Sequence, residues 1–162
     1  MDFSGKVALI TGGAQGIGRA YANALLDIGM KVCVSDILED KVKEFKDSLP
    51  AIHKDNVIFH KCDVSSLTDF KRAFKRVISE FGRIDMLINN AGVFDEKNYM
   101  KCIEVNFIAV VNGTLLAFEH MDINKNGHGG YVINTASEAG YSQSDRLLKT
   151  INDSKRIGCI SE

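Results

Sequence analysis

An α/β fold built on a doubly wound parallel sheet is what the sequence predicts, on three observations. Short β-branched apolar runs alternate with stretches whose apolar residues recur at helical spacing. The first run ends in a cluster of glycines that opens directly into a helix. The strand-like runs are also apolar nearly throughout, as strands covered by helices on both faces must be.

Residues 6–10 (KVALI) form the first predicted strand, stopped by Gly12 and Gly13. Across residues 17–27, Ile17, Ala20, Tyr21, Ala24, Leu25 and Ile28 mark a helical stripe, and Gly29 supplies the stop. Residues 31–35 (KVCVS) predict the second strand, and 39–49 an amphipathic helix with Val42, Phe45 and Leu49 inward. The third strand is expected over 57–62 (VIFHKC), where alternation suits a less buried position. Ser65 and Ser66 offer N-caps for a helix carrying Phe70, Phe74, Val77, Ile78 and Phe81, which Gly82 ends. Residues 84–88 (IDMLI) predict strand four. A long helix from Tyr99 to about Met121 is expected to bury Met100, Ile103, Phe107, Val110, Val111 and Phe118. After a loop holding Gly127, Gly129 and Gly130, residues 131–135 (YVINT) predict strand five.

Composition narrows the function. The chain has 162 residues, 45% hydrophobic and 25% charged, which is the make-up of one ordinary globular domain. A formal net charge of −1, with both signs interspersed, gives nucleic acid or an anionic membrane no basic stripe to bind. No apolar run reaches the roughly 18 residues of a spanning helix, and the first residues lack a secretory signal's apolar core. Cytoplasm is the expected location. Cys33, Cys62, Cys102 and Cys159 lie far apart with no C-x-x-C pair, and His53, His60, His120 and His128 show no ligand spacing. Reduced thiols and no metal are expected.

The glycine turn reads Thr11-Gly12-Gly13-Ala14-Gln15-Gly16-Ile17-Gly18. Gly12 and Gly16 remove side chains where a pyrophosphate must approach the backbone, and Gly18 lets the helix lie close to the sheet. Free N–H groups and the positive dipole end at the helix start favour phosphate. Asp36 closes the second strand, where a carboxylate can accept both ribose hydroxyls of an adenosine and repel a 2′-phosphate. Neither Ile37 nor the 13–15 turn brings a cation to offset that repulsion. The dinucleotide expected in this Rossmann-type domain is therefore NAD rather than NADP.

The spacing T-G-x-x-x-G-x-G differs from G-x-G-x-x-G and resembles that of the short-chain dehydrogenase/reductase family. Three further motifs agree in order. Cys62-Asp63-Val64 resembles the family's D-V after strand three, where the Asp meets the adenine. Asn89-Asn90-Ala91-Gly92 resembles its N-N-A-G, the floor beneath the cofactor. Residues 132–137 (VINTAS) resemble the strand that delivers a catalytic serine. Together these cover about residues 6–140. The stretches Gly16-Ile17-Gly18-Arg19-Ala20 and Glu96-Lys97-Asn98 look most like the NAD-dependent branch that oxidises 15-hydroxyprostaglandins.

The resemblance implies cofactor contacts at Gly12, Gln15, Gly16, Ile17, Gly18, Asp36, Ile37, Cys62, Asp63, Val64, Asn90, Ala91 and Gly92. It implies hydride transfer from a small-molecule secondary alcohol, with a Tyr phenolate taking the proton and a Lys lowering the Tyr pKa from about 10. Ser137 matches the serine that bonds the substrate oxygen, and Asn106 the helix asparagine that holds a relay water. The Tyr-x-x-x-Lys itself is missing. Ser154-Lys155 resembles the Ser-Lys ending of that motif, which makes Lys155 the candidate lysine and puts Ile151 where the tyrosine belongs. Tyr141 has Asp145 four residues on and cannot inherit the role.

Two accounts of residues 141–162 stand side by side. In one the family pattern continues and the base has been lost. In the other, the preferred one, an NAD-binding domain over 1–140 is followed by an unrelated 141–162 tail, truncating the family's later strands. Strand five would then be an unpaired edge, with Ile103, Phe107 and Val110 left as an apolar patch. Three functions follow: an alcohol dehydrogenase, a nucleotide-holding pseudoenzyme, or an incomplete product. The family's homodimer or homotetramer is implied by the resemblance only.

Overall fold

The computed structural model describes residues 2–125 and 127–137. Thirteen elements alternate along them. The strands are β1 (Val7–Thr11), β2 (Lys31–Asp36), β3 (Val57–Lys61), β4 (Met86–Asn89) and β5 (Tyr131–Asn134). The main helices are α1 (Gly16–Asp27), α2 (Glu39–Ser48), α3 (Leu67–Phe81), α4 (Tyr99–Ile103) and α5 (Ala109–Met121), with a π-helical turn at Glu104–Ile108 joining the last two. Short 3-10 turns at Ala51–Asn56 and Ile123–Lys125 lead into β3 and toward β5. The expectations for Lys155, Ile151, Tyr141 and Cys159 lie outside the described residues.

All pairings are parallel and the strand order is β3-β2-β1-β4-β5. Ile10 lies between Val34 and Ile88, so the centre of the sheet is aliphatic on three adjacent strands. Alternation along β1 divides the core. Val7 and Leu9 face Phe70, Phe74 and Val77 of α3 together with Leu116 of α5. Ala8 and Ile10 face Ala22 and Leu26 of α1 and Phe45 of α2. β3, at one edge, is only half-buried over most of its length, as its alternating sequence suggests.

Helix α3 forms as predicted. Ser66 is its N-cap, accepting from the Asp69 amide at 3.3 Å, and Gly82 closes it at φ 81° in the left-handed region. Ser65 takes a different role, described below. The strands begin or end one or two residues from the predicted limits, and Cys62 falls just past β3.

Two buried faces differ from prediction. On α1 the buried residues are Gly18, Ala22 and Leu26, while Ile17 and Ile28 are 61% and 51% exposed. On the long helix, Met100, Val111 and Phe118 point outward, and Ile103, Phe107 and Val110 are half-buried. Its sheet-facing side is instead Cys102, Val105, Asn106, Ala109, Gly113, Leu116, Ala117 and Met121. The physical reason is the same in both cases. These helices approach their neighbours so closely that small side chains are required at the contact. A Cβ on Gly113 would sit 2.5 Å from Asn89 Oδ1 and 2.8 Å from Phe70 Cζ. A stripe of large apolar residues therefore identifies the wrong face. Residues Tyr99–Met121 together form a helix long and apolar enough to cross a membrane by composition, contrary to expectation, but they pack here against α3 and β4.

Candidate functional site

The order of the strands sets the site. The chain leaves β1 toward β2 on one side and reaches β4 on the other, so the crevice at their carboxyl ends is a topological switch point. A cleft of about 440 Å³ opens there. It is lined by the glycine turn, the exit of β2, the segment after β3, the segment after β4, and the start of the long helix.

The glycine turn is held by an unusually complete set of bonds. The Thr11 hydroxyl donates to the Ile88 carbonyl at 3.3 Å and accepts from the Asn90 and Ala91 amides at 3.0 and 3.1 Å. The Asn90 side chain donates to the Thr11 and Gly12 carbonyls at 3.1 and 3.0 Å. Gly12 (φ 61°) also needs its missing side chain, because a Cβ there would lie 2.8 Å from Ala91 Cα. Gly18 does not line the cleft; it lies behind the turn, where a Cβ would be 2.2 Å from the Gly12 carbonyl oxygen. Helix α1 starts with no side-chain cap bond from Gln15 and no acid in its first turn. Its first N–H groups therefore have no competing anion from α1 itself.

Asp36 is 7% exposed, and both carboxylate oxygens are anchored. Oδ2 accepts from the Ala14 amide and Oδ1 from the Leu38 amide, each at 3.0 Å. Each oxygen keeps a further lone pair for a ligand hydroxyl. Arg19, the cation nearest in sequence to the turn, is turned away: it bonds Glu44 at 3.2 Å and Ser48 at 2.7 Å and lies over the Phe45 ring.

Across the cleft, Cys62, Asp63 and Val64 line the opposite wall. Burial pushes the Cys62 thiol up to about 11, so it is a neutral apolar surface there. Burial alone would raise the Asp63 carboxyl too, but bonds from the Ser65 hydroxyl, Lys101 and the Ser65 amide outweigh it and hold it below the usual carboxylate range. Asn106 is buried in the π-helical turn and its side-chain amide bonds Val93 twice: Nδ2 donates to the Val93 carbonyl at 2.8 Å and Oδ1 accepts from the Val93 amide at 2.9 Å. The side chain thus braces the segment that follows the Asn90-Ala91-Gly92 floor. Ser137 stands just beyond β5, half-buried and outside the cleft lining. The adjacent strand exit is pinned to the floor by Thr135, whose hydroxyl meets Asn90 Oδ1 at 3.3 Å.

The structure therefore brings Gly12, Gln15, Gly16, Ile17, Asp36, Ile37, Cys62, Asp63, Val64, Asn90, Ala91 and Gly92 to one cleft. Leu38, Val93, Lys101 and Val105 join them without having been singled out in the sequence. Thr11, which carries the turn without lining the cleft, was already in the spacing pattern read from the sequence, ahead of its first glycine. Lys101 has no sequence signal, because its partners lie 36 and 38 residues away.

The short chain dehydrogenase family model matches residues 6–148. The chain belongs to the short-chain dehydrogenase family. Among curated members, human 15-hydroxyprostaglandin dehydrogenase [NAD(+)] is 42% identical over 141 residues, 86% of this chain and 53% of its own length. Among solved members, a short-chain dehydrogenase from Novosphingobium aromaticivorans superposes with TM-score 0.83 at 32% identity, covering 96% of this chain and 61% of that one. A Burkholderia phymatum short-chain dehydrogenase/reductase, solved in complex with NAD, gives 0.81 at 28% identity, covering 95% and 57%. The chain spans about half the length of the curated relatives it matches.

Proposed function

We propose that this chain binds NAD in the cleft at the carboxyl ends of its strands and is the nucleotide-binding part of an oxidoreductase acting on a secondary alcohol. The observation that carries the reading is Asp36: a buried carboxylate, fixed by two backbone amides, in a cleft where the neighbouring arginine is committed elsewhere. The cleft suits a dinucleotide, since Gly12 and Gly18 let the turn pack against Ala91 and Asn90 where any Cβ would clash, and Gly16 (φ 53°), which lines the cleft, leaves the turn open. Asp36 would accept the adenosine ribose hydroxyls, the start of α1 would receive the pyrophosphate, and the Cys62-Asp63-Val64 wall would meet the base. Asn90, Ala91 and Gly92 would form the floor beneath the nicotinamide half. Bound there, NAD supplies the hydride acceptor. Ser137 is proposed to bond the substrate oxygen, with Asn106 holding the loop that borders it. The likeness to 15-hydroxyprostaglandin dehydrogenase supports a hydroxylated lipid as substrate.

Titration calorimetry tests the nucleotide reading. The chain should bind NAD at least about ten-fold tighter than NADP, which is roughly 1.4 kcal/mol, and Asp36→Ala should narrow that gap. Equal affinities in the parent would sink it.

A second reading, a nucleotide-holding pseudoenzyme, is favoured by Ile151 standing where a tyrosine belongs. Loss of a positioned general base lowers rates by about 10²–10⁴-fold. On this reading NADH does not accumulate above background with 15-hydroxyprostaglandins or simple secondary alcohols. Turnover near the usual enzyme median of about 10 s⁻¹ would return the chain to the active class.

A further inference from the structure

Residues 93–95, which lead away from the cleft floor, are paired like a strand, but their partner is a row of helix side chains. Asn106 bonds both backbone groups of Val93, as described above. Cys102 does the same at Asp95: Sγ accepts from the Asp95 amide at 3.2 Å and donates to the Asp95 carbonyl at 3.5 Å. Phe94, between them, is turned outward and 57% exposed. That alternation is the one a β-ladder imposes, and the two rungs run antiparallel, 93 with 106 and 95 with 102. The spacings are compatible. Residues four apart on a helix lie about 5–6 Å from one another, and residues two apart on a strand about 6.5 Å.

The two rungs stand at different places. Val93 lines the cleft, so the Asn106 rung is at its edge. The Cys102 rung lies beyond it, with the thiol wholly buried. There the Asp95 carboxylate continues the anchorage, accepting from the Lys97 and Asn98 amides at 3.0 and 3.1 Å just ahead of α4. A thiol is a weak donor and a weak acceptor, so this rung adds little stability. What it adds is a second fixed point. A segment gripped at one residue can pivot about it; gripped at two, it has a set direction.

We infer that Cys102 is a positioning residue for the nicotinamide end of the cleft, the second fixed point that sets how Ala91, Gly92 and Val93 cross it. This rests on the nucleotide reading above, in which Asp36, the start of α1 and residues 62–64 hold the adenosine and the pyrophosphate. The nicotinamide half is then left to the floor and to Val93. With the second rung lost the segment turns about Val93, and the cost falls on the half of the dinucleotide that lies against it.

The test compares NAD with ADP-ribose, which lacks the nicotinamide ring, by calorimetry on the parent chain, Cys102→Val and Cys102→Thr. Val and Thr are alike in shape and differ in a hydroxyl that can donate and accept in place of the thiol. Cys102→Val should weaken NAD by about five-fold, the scale of one modest hydrogen bond, and ADP-ribose by less than about two-fold. Cys102→Thr should keep both within about two-fold of the parent. Hydrogen exchange on the parent needs no variant: the Val93 and Asp95 amides should exchange about ten-fold or more slowly than the Phe94 amide between them. NAD affinity unchanged in Cys102→Val, or NAD and ADP-ribose weakened alike, overturns the inference and leaves the nucleotide reading standing. A Cys102→Thr chain as weak for NAD as Cys102→Val traces the loss to shape and overturns it too. So does an Asp95 amide exchanging as fast as that of Phe94, which decides the matter even if Cys102→Val does not fold. A parent that takes up neither ligand overturns the nucleotide reading and this inference together.

Discussion

Thr11 and Asn90 are bonded to each other twice. The Asn90 amide donates to the Thr11 hydroxyl at 3.0 Å, and the Asn90 side chain donates to the Thr11 carbonyl at 3.1 Å. One residue ends β1 and the other follows β4, so the two hydrogen bonds fix the switch point of the sheet. Because Asn90 also donates to the Gly12 carbonyl and accepts from Thr135, it ties three strand exits together.

Asn90→Ala should therefore loosen the turn and the floor at once. It removes the shared donor of two backbone carbonyls, and each buried group left unsatisfied costs about 1–3 kcal/mol. At this chain length each kcal/mol lowers the melting temperature by about 2–4 °C. Two such groups cost about 2–6 kcal/mol, so calorimetric melting should fall by roughly 4–24 °C, with NAD binding weakened in parallel. A change below about 2 °C would mean that water replaces the side chain.

Gly16 and Gly18 should respond to alanine for different reasons and by different amounts. At Gly16 (φ 53°) nothing lies within 4 Å of an added Cβ, so only the left-handed backbone resists, at about 1–2 kcal/mol. At Gly18 the Cβ would meet the Gly12 carbonyl oxygen at 2.2 Å and Asn90 Nδ2 at 2.6 Å. Helix α1 must then back away from the turn. Gly18→Ala should melt well below Gly16→Ala and lose NAD binding. The reverse order in melting experiments would show that α1 can shift freely.

Much of this was legible in the sequence, and the limits are physical. The strand runs, the glycine turn, Asp36 and the Asn90-Ala91-Gly92 floor are local patterns, and the cleft collects them as expected. What was misread depended on distance. The sheet side of the long helix is chosen by close contact at Gly113, not by apolar bulk, so Val111 and Phe118 were assigned inward and lie outward. The Lys101–Asp63 pair joins residues 38 apart, and no spacing rule reaches that far. Asn106 was matched by motif, but its tie to Val93 is a tertiary contact that only coordinates reveal.

Acid should unfold the chain through its buried carboxylates. Asp85 is 5% exposed, and its burial alone would raise its pKa. The Arg83 side chain, the Val7 amide and Lys6 outweigh burial and hold the carboxyl below the usual carboxylate range. Asp63 is lowered in the same sense. A carboxyl depressed on folding stabilises fully above its unfolded value, and that stabilisation disappears as pH falls through the folded value. The melting temperature should hold steady near neutrality and drop below about pH 4. Asp85→Asn should melt lower at pH 7 but with a shallower acid slope. An acid slope identical to the parent's would remove Asp85 from the account.

The outward face of α5 and of the last residue of the π-helical turn should make the chain self-associate. Ile108, Val111, Leu115 and Phe118 are 42%, 38%, 60% and 60% exposed and fall on one helical stripe. Stripes of this kind on soluble proteins mark partner surfaces or aggregation sites. The chain should bind a hydrophobic dye and scatter light as more than a monomer. Replacing Leu115 and Phe118 together by Glu should reduce both signals. Unchanged dye fluorescence in the double variant would place the apolar surface elsewhere.

Gly113 acts as the gauge block between the long helix and the sheet. Its missing side chain lets α5 seat against Asn89 and Phe70, and the same helix carries Val105 to the cleft and Asn106 to Val93 at its edge. A methyl group there would have to lift the helix by roughly 1 Å to recover ordinary carbon contact distances. That lift would be delivered at the far end, where Asn106 grips Val93 and Val105 walls the site. The aperture of the nucleotide cleft is thus calibrated from the same face of the helix, two turns away, by the absence of a single carbon.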